Sequence, residues 1–394
     1  MSCSTIPPLV RQTAAEVKTP FFLVDIDGIR ASLRAHQQAW ASHFPRVEVA
    51  YSYKSNSLAD ITRLFAREGL AAEVVSGREL ELALQDGFQP DKIYFDGPLK
   101  TPDELRSALE AGVAIQVDSL PELSTVLELS DQLASCPRIS MRLATRRPNG
   151  RWSRFGLLLS EVATALQLLD DAEVRLSGLH FHVGSNQPSP RLYRETIAIY
   201  GSLFRQIVDL YDGDIWLDIG GGFPSKSQTP AKTPEIAEFA DAVATAFRAQ
   251  HLDPHHFTLV VEPGRSLVED HGYLVSRVRH EKRRNGRRLL VLDAGRNLIP
   301  SLETWHHPIE VVHDAPELAG SLDQEIEYDL FGAQCFESDS LARGFTSPVP
   351  LSPGTLLVFG EVGAYDLATS HSWIRQAPPV LTVSEEQWQP SSSR

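Results

Sequence analysis

The stretch from Val47 to Val75, VEVAYSYKSNSLADITRLFAREGLAAEVV, reads as strand, helix, strand. Val47–Tyr53 and Ala71–Val75 are short, mostly apolar runs, and Leu58–Arg67 between them has the helical period. Two strands joined through a helix run parallel. Moving outward, the alternation continues to Glu262. Further strand candidates are Ile93–Phe95, Val113–Val117, Ile139–Leu143, Leu176–Phe181, Ile215–Ile219 and Thr258–Val261. Helical segments separate most of them, among them Gly77–Gln85, Pro102–Ala111 and Pro234–Gln250. Thr101-Pro102 with Asp103-Glu104, and Ser119 with Pro121-Glu122, are helix-start signals. Eight strand–helix units in about 215 residues are the arithmetic of a closed (β/α)₈ TIM barrel. A doubly wound open sheet is the competing arrangement.

Beyond Glu262 the pattern changes. Tyr273–Arg279, Arg288–Asp293, Ile309–Val312, Glu325–Leu330 and Thr355–Phe359 are short and β-prone, with Pro, Gly and Asn turns between them. Arg284-Asn285-Gly286-Arg287 reads as a hairpin turn. The expected layout is a barrel over residues 27–268, and an all-β domain from residues 1–26 and 269–394. The basic cluster His280–Arg288 reads as a solvated hairpin tip, and the tail Gln387–Arg394 as frayed.

The chain has 394 residues, 42% hydrophobic and 22% charged, with a formal charge of -14. This composition is that of globular proteins. The acid surplus argues against nucleic acid as a partner. No apolar run reaches the ~18 residues of a membrane helix, and the first residues lack the features of a signal peptide. Three cysteines, Cys3, Cys136 and Cys335, suit a reducing compartment better than a disulfide framework. The expectation is a cytoplasmic enzyme with a small-molecule substrate, no membrane partner and no metal site.

Barrel enzymes keep their chemistry at the C-terminal ends of the strands. The first strand ends in Tyr51-Ser52-Tyr53-Lys54-Ser55-Asn56. The second leads to Glu73 and Ser76, the fourth to Asp118, and the fifth carries Arg142. The sixth gives His180-Phe181-His182-Val183-Gly184-Ser185, the seventh Asp218-Ile219-Gly220-Gly221-Gly222-Phe223-Pro224, and the eighth Glu262-Pro263-Gly264-Arg265. Lys54 at the barrel mouth is either a snorkelling side chain or the amine for a Schiff base with an aldehyde cofactor. The glycines after strand seven and Gly264-Arg265 after strand eight suit a phosphate, although Gly220–Gly222 alone is equally a tight turn. Glu262 is either salt-bridged to Arg265 or Arg142, or set to face a pyridine nitrogen. His182 is either a satisfied core histidine or a ring that stacks on a cofactor.

These motifs, with Gly332-Ala-Gln-Cys335 and Gly363-Ala-Tyr365, stand in an order that resembles the fold-type III pyridoxal-phosphate decarboxylases of the ornithine/diaminopimelate decarboxylase family. The resemblance runs from about Thr19 to Pro379. It implies an alanine racemase-like barrel with a C-terminal β-domain, and pyridoxal 5′-phosphate as cofactor. Lys54 would carry the cofactor, His182 stack on it, and Glu262 face its ring nitrogen. Ser185, Gly221, Gly222, Gly264, Arg265 and Tyr365 would hold its phosphate. Glu73 and Arg142 would form an acidic–arginine network beside it. Cys335 would act as the acid, supplied across a head-to-tail homodimer whose β-domains contribute to the shared active sites. A bland alternative for Cys335 is a small buried apolar group.

Departures from the family pattern concern the substrate end. Phe336 replaces the acidic residue that follows the cysteine. Ala294 stands in the Asp293-Ala294-Gly295 turn, the expected arginine is missing near Ile299-Pro300-Ser301-Leu302, and Trp373 stands where an asparagine is usual. Opposite Phe336, a substrate ammonium would lack its counter-charge. The substrate positions expected from the sequence are Phe336, Asp339, Arg296 and Arg343, with His306, His307 and Arg375 as further cations. The cations Arg296, Arg343, His306, His307 and Arg375 either suit an anionic distal group or are ordinary surface charges. The expected substrate is therefore an amino acid joined to a carboxylate-rich acid, similar in kind to the citryl conjugates of siderophore-pathway decarboxylases. The alternative is a diaminopimelate, ornithine or lysine type of substrate. A racemase would want an arginine at the ring nitrogen, and a non-catalytic relative would have lost Lys54, the glycine loops or Cys335.

Overall fold

The computed structural model describes residues 6–211, 215–226, 233–312 and 325–384, so the tail Gln387–Arg394 lies outside the described residues. Two compact units emerge, one of Ser32–Leu267 and the other of Met1–Ala31 with Val268–Arg394.

Strand β1 (Phe21–Asp25) belongs to the second of these units. The first unit is a closed barrel. Its strands are β2 (Val47–Ser52), β3 (Ala71–Val74), β4 (Ile93–Phe95), β5 (Ala114–Val117), β6 (Arg138–Leu143), β7 (Leu176–Phe181), β8 (Ile215–Asp218) and β9 (Phe257–Val261). All are parallel. β9 returns to pair with β2, Val47 opposite Leu259, which excludes the open sheet. The start signals work as written. Thr101 and Glu104 form a capping box at the helix Pro102–Ala111, and Ser119 accepts a bond from the Glu122 N–H.

Side chains alternate across a strand, so every second residue faces the barrel interior. One layer is apolar: Ala50, Ala71, Tyr94, Ala114, Trp216 and Val260 pack together. Small residues there leave room for Tyr94 and Trp216, whose rings meet edge to face at 5.6 Å. Gly178 belongs to the same arrangement, because a Cβ on it would lie 2.4 Å from the Trp216 ring. Two residues further along each strand the layer is polar: Ser52, Glu73, Asp96, Gln116, Arg142, His180, Asp218 and Glu262, all buried.

The second unit is a sheet of eight strands. It comprises β1 and β10 (Gly272–Arg284), β11 (Arg287–Leu292), β12 (Ile309–Val312), β13 (Ile326–Phe331), β14 (Ser340–Ser347), β15 (Leu356–Phe359) and β16 (Val380–Val383). Asn285 and Gly286 turn β10 into β11 with φ of 48° and 80°, the geometry of a two-residue hairpin. The sequence reading stopped the first of these strands at Arg279. In the structure it continues through charged residues to Arg284, because their backbone pairs with β11 while their side chains stay in solvent. β1, β14 and β16 were not expected as separate strands. β14 contains Gly344 at φ 64° and pairs irregularly, and β16 is short and half-buried, so neither shows the alternation of a strand. No helix among the described residues is long and apolar enough to cross a membrane.

Candidate active site

Lys54 sits in a one-turn 3₁₀ segment, Tyr53–Ser55, directly after β2. Its Nζ donates to both oxygens of Glu73, at 2.7 and 2.5 Å, and Ser52 Oγ donates to the same carboxylate. Glu73 is fully buried, while the lysine side chain keeps 37% of its surface exposed. The amine is thus anchored at its tip and open to the barrel mouth.

Arg142 does not bond Glu73 or Glu262. It donates to Asp96 at 2.8 and 3.0 Å and lies 3.7 Å from Asp118. The acidic–arginine network implied by the resemblance is therefore two separate pairs, Lys54 with Glu73 and Arg142 with Asp96. Arg142 holds the Asp96 carboxyl well below the usual carboxylate range, against the opposing effect of burial. Burial, partly offset by Arg142, pushes Asp118 up to about 6. Asp96 was not picked out from the sequence, and its one signal is the period-2 continuation of β4 from Tyr94.

Glu262 is 2% exposed, and no Lys or Arg among the described residues forms an ion pair with it. His180 Nε2 lies 3.6 Å from its Oε1, and His182 Nδ1 4.0 Å from its Oε2. Burial first, then the nearby carboxylates Asp218, Glu73 and Asp96, push its pKa well above the usual value. Asp218 is likewise pushed up to about 7 by burial, although hydrogen bonds with the Glu262 side chain, the Gly220 N–H and Gln116 Nε2 oppose the shift. His182 Nδ1 accepts a bond from the Gly221 N–H at 3.1 Å, which leaves Nε2 as the donor. Burial, Arg142 and Lys54 bring its pKa down to about 3, so the ring is neutral.

The loops after β7, β8 and β9 pack against each other so closely that side chains are excluded. A Cβ on Gly221 would stand 2.2 Å from the Glu262 carbonyl, and one on Gly222 2.0 Å from the Gly184 carbonyl. On Gly264 it would stand 1.9 Å from Ser55 Oγ. Ser185 is exposed beside Gly184, and Arg265 is buried after Gly264. These backbones are bare enough to meet an anion.

The β unit holds the other expected positions. Cys335 is a free, exposed thiol in the loop between β13 and β14. Asp339, expected at the substrate, is 2% exposed and shapes that loop: its carboxylate accepts from the N–H groups of Arg296 and Gln334. Arg296 is tied to Glu303 and to the Ser338 carbonyl. Arg343 lies over the Phe331 ring and 3.7 Å from Asp329. His307 is a core histidine, bonded to Ser301 and to the Gly360 carbonyl, whereas His306 is exposed. Tyr365 has the left-handed φ of 68° and starts the short helix Asp366–Thr369. Phe336 and Trp373 are both exposed, with ring centroids 5.7 Å apart. A cavity of about 1140 Å³ in this unit is lined by Cys335 and Phe336 and by Arg279, His280, Lys282, Arg284 and Arg375. Of the cations expected to face a substrate, only Arg375 is among them.

The residues fit pyridoxal phosphate. An anchored but accessible amine, a buried carboxylate whose Oε1 has no hydrogen-bond partner, and side-chain-free loops after three consecutive strands are what its aldehyde, ring nitrogen and phosphate need. Residues 30–269 match the family model described as the pyridoxal binding domain of pyridoxal-dependent decarboxylases. The chain is 30% identical to the diaminopimelate decarboxylase of Helicobacter pylori strain J99, over 94% of this chain and 91% of that one. It is also 30% identical to the diaminopimelate decarboxylase of Deinococcus radiodurans, over 96% and 94%. The crystal structure of the Helicobacter pylori diaminopimelate decarboxylase complexed with L-lysine superposes with a TM-score of 0.83 at 25% identity, covering 95% of this chain and 94% of that one. A lysine/ornithine decarboxylase from Vibrio vulnificus, at 24% identity and a TM-score of 0.83, shares the fold.

Barrel, β unit and site together define a pyridoxal-phosphate-dependent carboxy-lyase. The chain belongs to the fold-type III amino acid decarboxylases of the ornithine/arginine/diaminopimelate family.

Proposed function

We propose that this chain removes the α-carboxylate of an amino acid of the diaminopimelate, lysine or ornithine type. The observation that carries the substrate type is the likeness to diaminopimelate decarboxylases over nine-tenths of their length, 91% for the Helicobacter pylori enzyme. Bound pyridoxal phosphate supplies an aldehyde for an amine and a ring that takes up the electron pair left when carbon dioxide departs. Lys54 would hold the cofactor, and Glu73, bonded to its Nζ at 2.7 Å, would take and return the amine's proton. Glu262 would face the ring nitrogen and keep a proton there. Neutral His182, fixed by the Gly221 N–H, would stack on the ring. Ser185, Gly221, Gly222, Gly264, Arg265 and Tyr365 would hold the phosphate. Cys335 Sγ keeps a proton for the carbon that has lost its carboxylate. The working form is a homodimer in which Cys335 of one copy serves the barrel of the other, in a cytoplasm that keeps the thiol reduced.

A second reading has its own observation. Phe331 and Phe336 give the Cys335 cavity an aromatic edge, and Arg279, His280, Lys282, Arg284 and Arg375 outnumber its acidic residues Asp293, Glu337 and Asp339. That lining suits a substrate whose far end is rich in carboxylates, such as a citrate conjugate of an amino acid from a siderophore pathway. Carbon dioxide release by the purified holoenzyme from meso-diaminopimelate, lysine, ornithine and a citryl-diamino acid decides between them. Efficient turnover of a free diamino acid supports the first reading, and turnover of the conjugate alone supports the second.

A further inference from the structure

None of these roles involves His180. Its ring is fully buried, and neither nitrogen has a hydrogen-bond partner among the described residues. Buried polar atoms are seldom left so, and a purely apolar ring would fill the space without that cost. Each nitrogen instead faces a carboxylate: Nδ1 is 3.8 Å from Asp96 Oδ1, and Nε2 is 3.6 Å from Glu262 Oε1. Asp96 already takes two contacts from Arg142, whereas Glu262 Oε1 has none. Strand register fixes the ring in place, with His180 opposite Arg142 on β6 and opposite Asp218 on β8. The charged and titratable groups around it are Asp96, Arg142, His182 and Lys54, together with Glu262 and Asp218, whose oxygens lie within 4.8 Å of a ring nitrogen and of each other. Burial holds the ring's pKa well below its ordinary value, so it has one N–H to give.

We propose that His180 is a positioning residue for the cofactor's ring end: with the Asp96–Arg142 pair behind it, it donates from Nε2 to Glu262 when that carboxylate faces the ring nitrogen as an anion. The inference rests on the pyridoxal-phosphate reading of this site. A gap of 3.6 Å closes with a shift of a few tenths of an ångström, and such bonds commonly tighten only in the loaded site. A donor to Glu262 favours the charged carboxylate over the protonated one, which burial among Asp218, Glu73 and Asp96 otherwise promotes.

The test compares wild type with His180→Phe, His180→Gln and His180→Asn. Each is stripped of cofactor and titrated with pyridoxal phosphate. The readouts are affinity, the pH at which the visible band changes, and the melting temperature of the cofactor-free protein. Glutamine can place its amide nitrogen near the position of Nε2, and asparagine cannot. Phe and Asn are expected to weaken cofactor binding about 10-fold or more and to move the pH of the band change. Gln should stay within about threefold of wild type. Cofactor-free Phe should melt no lower than wild type, since it loses only unsatisfied nitrogens. Unchanged affinity and band in Phe, or equal losses in Gln and Asn, would overturn the proposal. If the Phe variant does not fold, the Gln–Asn comparison decides alone. If wild type forms no visible band and borohydride fixes nothing to Lys54, the cofactor reading itself fails, and the proposal with it.

Discussion

Glu262 is the residue on which the barrel's electrostatics converge. It is buried beside Asp218, with no Lys or Arg among the described residues paired to it, and the two histidines nearest to it are neutral. A carboxylate held this way accepts a positive partner readily, which is what a protonated ring nitrogen provides. Glu262→Gln is therefore expected to lower kcat about 10²-fold, with KM for the amino acid little changed; a pure KM effect in steady-state kinetics would contradict the role. Asp218 gives a pH signature. Its pKa in the fold is about 7 against 3.8 for an ordinary aspartate, so between those pH values the folded state binds more protons than the unfolded one. Stability from this group thus falls as pH rises through that window. Urea unfolding of the cofactor-free protein at pH 5 and pH 7 should show a larger loss at pH 7 for wild type than for Asp218→Asn. Equal changes in the two proteins would refute it.

The glycine loops and the Cys335 loop are built by opposite means. After β7, β8 and β9, close packing rests on the absence of side chains. Gly222 combines a φ of 100° with a Cβ position 2.0 Å from the Gly184 carbonyl. Gly222→Ala should cost about 2 kcal/mol or more of stability and weaken pyridoxal phosphate binding, measurable by denaturation and by cofactor titration. An alanine variant with native stability and affinity would contradict this geometry. The Cys335 loop is held by a side chain, Asp339, which takes two backbone N–H groups and also bonds the loop through its own carbonyl and N–H. Asp339→Ala should leave those donors unpaired, raise amide exchange across residues 332–339 and reduce turnover while cofactor affinity stays unchanged. Unaltered exchange would make Asp339 dispensable to the loop.

For the whole molecule, the proposed exchange of Cys335 between copies predicts complementation. Lys54→Ala and Cys335→Ala are each expected to be inactive. A re-equilibrated equal mixture should recover about one quarter of wild-type activity, because half the dimers are mixed and each of those has one intact site. No recovery would place both residues in a site within one copy. The barrel and its polar strand ends were legible in the sequence, as were the glycine loops and the Asn285-Gly286 turn. They follow from local causes: a period of two in strands, a helical period between them, and positive φ or bare backbone at glycine. Alternation also tells which residues face inward, so His180, Arg142, Asp218 and Glu262 could be placed on the interior side. It does not tell which inward residues meet, because barrel closure and strand register make neighbours of residues far apart in the chain. Only the tertiary structure therefore paired Arg142 with Asp96 and Lys54 with Glu73, and set His180 between Asp96 and Glu262. The same holds for the β unit, where packing turned Asp339 and His307 into structural groups and gathered a different set of cations around Cys335.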